Sequence, residues 1–134
     1  MYTNQKEQYE RLGFTIENAF IKSVSISMAD HGILTYGITL EGSGWGCVYG
    51  GYCIGHGYLG SESFDGSGKG LEAMMRIMDT VGVEKWEDLA GKYVRVATKG
   101  WGGTVKIIGN VLKDKWFDQK EFFSCSDTDE KKDS

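Results

Sequence analysis

The chain has no proline at all among its 134 residues. It carries only three cysteines (Cys47, Cys53 and Cys125), two histidines and three arginines (Arg11, Arg76 and Arg95). Each scarcity excludes something. Three cysteines are an odd and sparse set: Cys47 and Cys53 are able to pair, but free thiols in a cytoplasmic protein are the expectation. His56 with Cys47 and Cys53 gives a C-x5-C-x2-H spacing that matches no standard zinc arrangement and lacks an evident fourth ligand. Neither a metal nor a cofactor is expected. His31 follows Asp30, a superficial base-and-carboxylate pair, but both fall in a turn whose local geometry already favours polar residues. No G-x-S-x-G, Walker loop or H-E-x-x-H occurs, and the expectation is a protein that is not an enzyme. No run approaches the roughly 18 apolar residues of a membrane span. The N-terminal residues lack the apolar core of an export signal.

Glycine and aromatic residues are abundant instead, with 20 Gly, 4 Trp, 7 Tyr and 6 Phe. Glycine admits positive φ and close approach of another surface, and aromatic rings supply contact area at little entropic cost. A chain of this length forms one domain. Net charge is −4, unevenly spread. Asp118 to Ser134 holds six acids against three lysines, which predicts an acidic, disordered tail after a single domain of residues 1–117. Gly91 to Trp116 holds six bases and one acid, a local balance of +5 in an acidic protein. That segment is either a solvated hairpin or a positive surface for phosphate.

Periodicity supplies the elements. After a polar lead-in, Val24, Ile26 and Met28 alternate with Ser23, Ser25 and Ser27, and Leu34, Tyr36, Ile38 and Leu40 alternate with Thr35, Gly37 and Thr39. The two runs predict a hairpin turning at Ala29 to Gly32. Cys47 to Ile54 reads as a third strand whose glycines mark a bulge or a close approach. Gly70 to Val81 predicts a helix with Leu71, Met74, Met75, Ile77, Met78 and Val81 on one arc and Gly82 as its cap. A short helix with Val83, Trp86 and Leu89 as its buried edge follows, then strands over Tyr93 to Thr98 and Thr104 to Leu112. The expected fold is α+β, an antiparallel sheet of about five strands with two helices packed on one side.

For function, Gly42 to Gly55 presents backbone and flat rings, so Trp45, Tyr49 and Tyr52 are candidate stacking residues. Gly42-Ser-Gly44 begins like a dinucleotide fingerprint, but strand rather than helix follows it. Arg95 and Lys99 share strand parity, as do Lys106 and Asn110. Facing one way, they would make a basic row flanked by Tyr93 and Trp101. Arg95 and Lys99 are the primary phosphate candidates, Arg76 and Lys113 secondary ones, and Asn110 a polar reader of a base. Arg76 also has Glu72 at i−4 as a local partner.

Four stretches together resemble a known family: Met28 to Thr35, Gly42 to Gly55 with its Tyr49-Gly-Gly-Tyr52, Gly70 to Met78 continuing through Val81 to Leu89 and Tyr93 to Val96, and Ile108 to Phe117. They are similar to small phage proteins, the Thoeris anti-defence sponges, over about Ser23 to Phe117. The resemblance implies a non-catalytic protein of the host bacterial cytosol that sequesters a cyclic ADP-ribose-type signal made by bacterial TIR enzymes. It also implies a homo-oligomer with ligand sites between neighbouring subunits. A sponge must outcompete a receptor, so affinity near nanomolar, roughly −12 kcal/mol, is the scale required. Two other readings compete. One is a protein-binding inhibitor of a host defence enzyme. The other is a single-stranded nucleic-acid binder, which the acidic net charge and the shortage of arginine disfavour.

Overall fold

A computed structural model of the chain describes residues 4–57, 60, 62–99 and 104–124. Seven antiparallel strands form one sheet in the order β4-β3-β2-β1-β5-β6-β7. They are β1 (Thr15–Asp30), β2 (Ile33–Gly42), β3 (Trp45–His56), β4 (Asp65–Gly66), β5 (Tyr93–Thr98), β6 (Ile107–Gly109) and β7 (Trp116–Asp118). Helix α1 (Gln5–Arg11) precedes the sheet, and α2 (Gly68–Val81) and a 3-10 turn (Trp86–Leu89) lie between β4 and β5. The fold is α+β, with seven strands rather than about five. The two unforeseen strands, β4 and β7, have two and three residues, too short to show a period.

β1 is the spine, pairing with β2 along its second half and with β5 along its first. Its buried residues are Ala19 and Ile21, at odd positions, whereas Val24 packs against the core from an even one. A register shift between Ile21 and Ser23 reconciles them: one extra residue in the strand turns both sets to the same face. The turn to β2 is His31-Gly32, with φ of 51° and 80°, the left-handed pair that a two-residue hairpin requires.

β3 has a bulge of its own, where Thr35 pairs with Cys53 but Gly37 pairs with Gly50. Gly50 and Gly51 both have positive φ, and a Cβ on Gly50 would overlap the Tyr36 carbonyl. Backbone geometry therefore accounts for this glycine pair. The bulge also keeps Tyr49 and Ile54 buried and Tyr52 packed against the core, although their parities differ.

Helix α2 begins at the Ser67 cap, whose hydroxyl accepts from Gly70 N at 3.0 Å, and ends at left-handed Gly82. Gly70 lies directly on Ile54, where any Cβ would collide. That contact places Gly70 on the face turned to the sheet. Ala73, Met74, Ile77 and Thr80 are buried, while Leu71 and Met75 are 57% and 68% exposed. At roughly 100° per residue these two fall on the far side from the Gly70–Ile77 stripe, so the expected six-residue apolar arc is corrected to a narrower one.

The two expected helical segments, α2 and the 3-10 turn, pack into one core on one side, and α1 adds a helix on the other face. Trp116 and Phe117, adjacent in β7, point to opposite faces. Tyr9 of α1 packs edge-on against Trp116 at 5.4 Å, and Phe117 joins the core with Met74 and Ile77 of α2. The domain also continues past Phe117. Asp118 belongs to β7 and 119–124 form a helical turn whose Gln119 and Phe123 are buried. The predicted tail boundary is corrected accordingly, and Cys125 to Ser134 lie outside the described residues.

The sheet curls far enough for side chains of β2 and β3 to reach the β6–β7 hairpin and the segment after it. The Tyr49 hydroxyl on β3 lies 3.1 Å from the Lys106 carbonyl and 3.3 Å from that of Phe117, and Tyr36 on β2 donates to Gln119 Oε1 at 2.8 Å.

Candidate functional site

The three aromatic candidates of the glycine-rich strand all turn inward. Tyr49 is completely enclosed, and burial holds its phenol well above the ordinary range. Tyr52 stacks on Phe123 with centroids 4.2 Å apart and planes 10° off parallel. Trp45 packs against the core and donates from Nε1 to Glu17 Oε1 at 2.7 Å. These rings fill the concave side of the sheet.

Arg95, the leading phosphate candidate, is committed to its own backbone surroundings. Its Nε donates to the Asn110 carbonyl at 2.7 Å and Nη2 to the Lys113 carbonyl at 2.9 Å, with the guanidinium 4.7 Å from the Trp116 ring centroid. Asn110 is equally engaged. Its Nδ2 donates to the carbonyls of Thr80 and Val81 at the end of α2, and its Oδ1 accepts from Leu112 N and Lys113 N. Asp114 closes the arrangement by accepting from Gln5 N, Lys6 N and Trp116 Nε1. Burial raises its carboxyl, but those hydrogen bonds and the Arg95 charge outweigh that and leave it below the usual carboxylate range. Arg95, Asn110 and Asp114 thus staple the 110–116 loop to both helices. Lys113 contributes backbone groups to that staple and is exposed. Arg76 pairs with Glu72 at 2.7 Å, over the Phe122 ring.

The expected basic row is therefore divided. Arg95 pairs across β6 with Gly109 and turns to the staple, whereas Lys99 and Lys106 line a separate cleft. Trp101, the expected flank of the row, lies outside the described residues.

That cleft is open, has a volume of about 490 Å³, and is bounded by Phe14, the end of β5, the approach to β6 and the 118–124 segment. Three lysines line it (Lys99, Lys106 and Lys120) against two carboxylates (Asp118 and Glu121). The Lys99 ammonium lies 4.8 Å from the Phe14 ring centroid. Lys106 is held below the ordinary lysine range by contact with the Lys120 side chain and by that neighbour's charge, with slight burial adding and Asp118 opposing. Behind this wall Tyr9 is pushed up to about 12, first by burial and then by the charges of Asp118, Glu121 and Asp114.

Of the eight sequence candidates, the cleft includes Lys99 alone. Lys106 was legible in the basic segment, but Phe14, Asp118 and Lys120 were not. Phe14 is remote in sequence, and Lys120 is masked by the acidic composition around it. Cys53 Sγ lies 3.6 Å from His56 Nε2 at the exposed end of β3. Among the described residues no group of three or more His, Cys, Asp and Glu side chains is placed to hold a metal. Nor does any helix among them have the length and apolarity to cross a membrane. Comparison with protein-family models, curated proteins and solved structures finds no match to the chain.

Proposed function

We propose that this protein binds and sequesters, without turnover, a phosphate-bearing signalling nucleotide of the cyclic ADP-ribose type, and that it does so as a homo-oligomer in the host bacterial cytosol. The observation carrying the reading is the cleft of about 490 Å³ with three lysines on its walls and an aromatic ring at its edge. Its size suits a small organic ligand. Its ammonium groups supply donors for phosphoryl oxygens, and Phe14 supplies an apolar edge for a base. The four-stretch resemblance to the Thoeris anti-defence proteins, quoted from the sequence, points to the same ligand class.

The test is release of the ligand unchanged. Purified protein is incubated with the cyclic ADP-ribose products of a TIR enzyme, separated from free nucleotide and heated. Intact nucleotide in the supernatant supports sequestration. A new product, or no retained nucleotide, rejects it. Sedimentation of the same sample reports the oligomer, and a monomer with full nucleotide affinity would remove that part of the proposal.

A second reading, a protein-binding inhibitor of a host defence enzyme, draws on the exposed Leu71 and Met75 of α2. Exposed side chains of this kind suit a protein contact. Recovery of one stoichiometric host protein, unaffected by added nucleotide and lost in a Leu71→Ser, Met75→Ser variant, would favour it.

A further inference from the structure

Away from the cleft, a nucleophilic side chain meets a base at the end of β3. Cys53 Sγ lies 3.6 Å from His56 Nε2 and 4.0 Å from Nδ1, and the thiol donates to the Gly55 carbonyl at 3.4 Å. Three positions apart, these side chains would fall on opposite faces of a regular strand. The ladder explains their meeting. Leu34 pairs with Gly55 and Thr35 with Cys53, so Ile54 is an extra residue in β3. One inserted residue brings Cys53 and His56 to the same side, while Ile54 itself is buried in the core. Whichever tautomer the neutral imidazole adopts, one of its two nitrogens is an acceptor beside the thiol.

The sulfur is open to approach. Cys53 is half-buried and His56 exposed. Gly51 and Gly55, two residues to either side of Cys53, bring no side chain to the site, and a Cβ at Gly51 would meet nothing within 4 Å. Gly55 in turn faces Gly66 of β4. Cys47, earlier on the same strand, is the contrast: burial pushes its thiol up, with a hydrogen bond from the Val105 backbone opposing. None of the residues lining the lysine cleft belongs to β3, so the pair is separate from the nucleotide site proposed above.

Across the two ladders His56 faces Ile33 of β2 and Asp65 of β4. Neither Asp65 nor any other carboxylate among the described residues forms an ion pair with the imidazole. The dyad thus lacks the orienting carboxylate of an acyl-transfer triad. Exchange with a disulfide needs less, because the attacking group is a thiolate and the leaving group is another.

We propose that Cys53 and His56 form a thiol-exchange site, at which a small disulfide of the glutathione class reversibly thiolates Cys53. The Cys53 proton passes to the His56 imidazole, and the thiolate attacks one sulfur of the disulfide. A bond forms between Cys53 Sγ and that sulfur as the original S–S bond breaks. The departing thiolate takes the proton back from the imidazolium and leaves as a thiol. Cys53 is oxidised to the mixed disulfide, and the departing sulfur is reduced.

The test exposes the full chain, reduced and carrying Cys125→Ser, to oxidised glutathione at pH 7, and follows each modified peptide by mass spectrometry. Cys53 should react at least about tenfold faster than Cys47, and dithiothreitol should remove the adduct. His56→Gln should slow Cys53 roughly tenfold at pH 7, with the deficit closing above about pH 9, where thiols ionise without a neighbouring base. A merely structural effect of the substitution would persist at alkaline pH, and an unchanged thermal midpoint checks the fold independently. Equal rates at Cys53 and Cys47 overturn the proposal, as does a His56→Gln variant that reacts as fast as its parent at pH 7 or a deficit that persists above pH 9. A disulfide between two copies of the chain as the sole product also overturns it, since the partner is then a protein thiol.

Discussion

Arg95 shows how one residue's chemistry can be read correctly while its partner is not. A planar, permanently charged fork suits phosphate oxygens, and it suits peptide carbonyls for the same reason. Here the carbonyls of Asn110 and Lys113 take it, and Trp116 covers its face. Arg95→Ala is therefore expected to act on stability, by about 2–3 kcal/mol for the loss of charged hydrogen bonds, measured by chemical denaturation. Arg95→Lys should recover little of this, since one ammonium cannot reach both carbonyls and stack. A variant with wild-type stability and lost nucleotide binding would return Arg95 to the ligand site. Tyr49 makes the same point for aromatics. Its ring suits stacking, but the parity of β3 puts it inside, where its hydroxyl reaches two carbonyls across the curled sheet.

Among the elements, α2 was the most legible in the sequence, and its orientation was the least. Periodicity located it to within two residues of Gly68–Val81, and Gly82 marked its end. Which part of a broad apolar arc faces inward depended on tertiary contacts, among them that of Gly70 with Ile54. The expected consequence is a contrast on one helix. Ile77→Ala should cost about 2–5 kcal/mol, as for a core truncation, while Leu71→Ser and Met75→Ser should each stay within about 0.5 kcal/mol, as exposed sites do. Thermal unfolding of the three variants checks this, and a large loss at Leu71 would mean that the helix is covered in solution. The bulges of β1 and β3 belong to the same scale. The glycines of β3 hinted at a bulge, whereas the inserted residue of β1 between Ile21 and Ser23 is shown only by the pairing.

For the whole molecule, the bridging of the curled sheet by side chains is the feature with measurable consequences. The segment 119–124, read from composition as tail, contributes Gln119 to Tyr36 and Phe123 to Tyr52. Phe123→Ala should lower stability by about 3–5 kcal/mol, against nothing for a residue in a solvated tail; denaturant midpoints distinguish the two. Buried phenols also give the fold an alkaline limit. The phenols of Tyr9, Tyr36 and Tyr49 are all raised above the ordinary tyrosine range, chiefly by burial. A phenol whose pKa is raised on folding contributes its full stability below the unfolded value and loses it as pH rises through the folded one. Stability should therefore decline above about pH 10, with Tyr9 titrating near 12 in the native state. Tyrosinate absorbance followed alongside circular dichroism checks the order. Ionisation of all seven tyrosines before any unfolding would contradict it.

Local periodicity is a property of neighbouring residues. It was therefore enough to establish the α+β class, the β1–β2 hairpin, α2 with its glycine cap, and a concentration of positive charge after Gly91. The strands of two and three residues, the split of that charge between a structural staple and a cleft, and the meeting of Phe14 with Lys99 and Lys120 come from contacts between distant segments. No local pattern encodes them. The glycine-rich strand shows the division most clearly: its composition marks a close approach, and the approaching group is the chain's own Tyr36 carbonyl at Gly50 and the core behind its rings. Which face of a strand meets water is settled by its register with its neighbours, and in β1 and β3 that register shifts at bulges that only the pairing reveals.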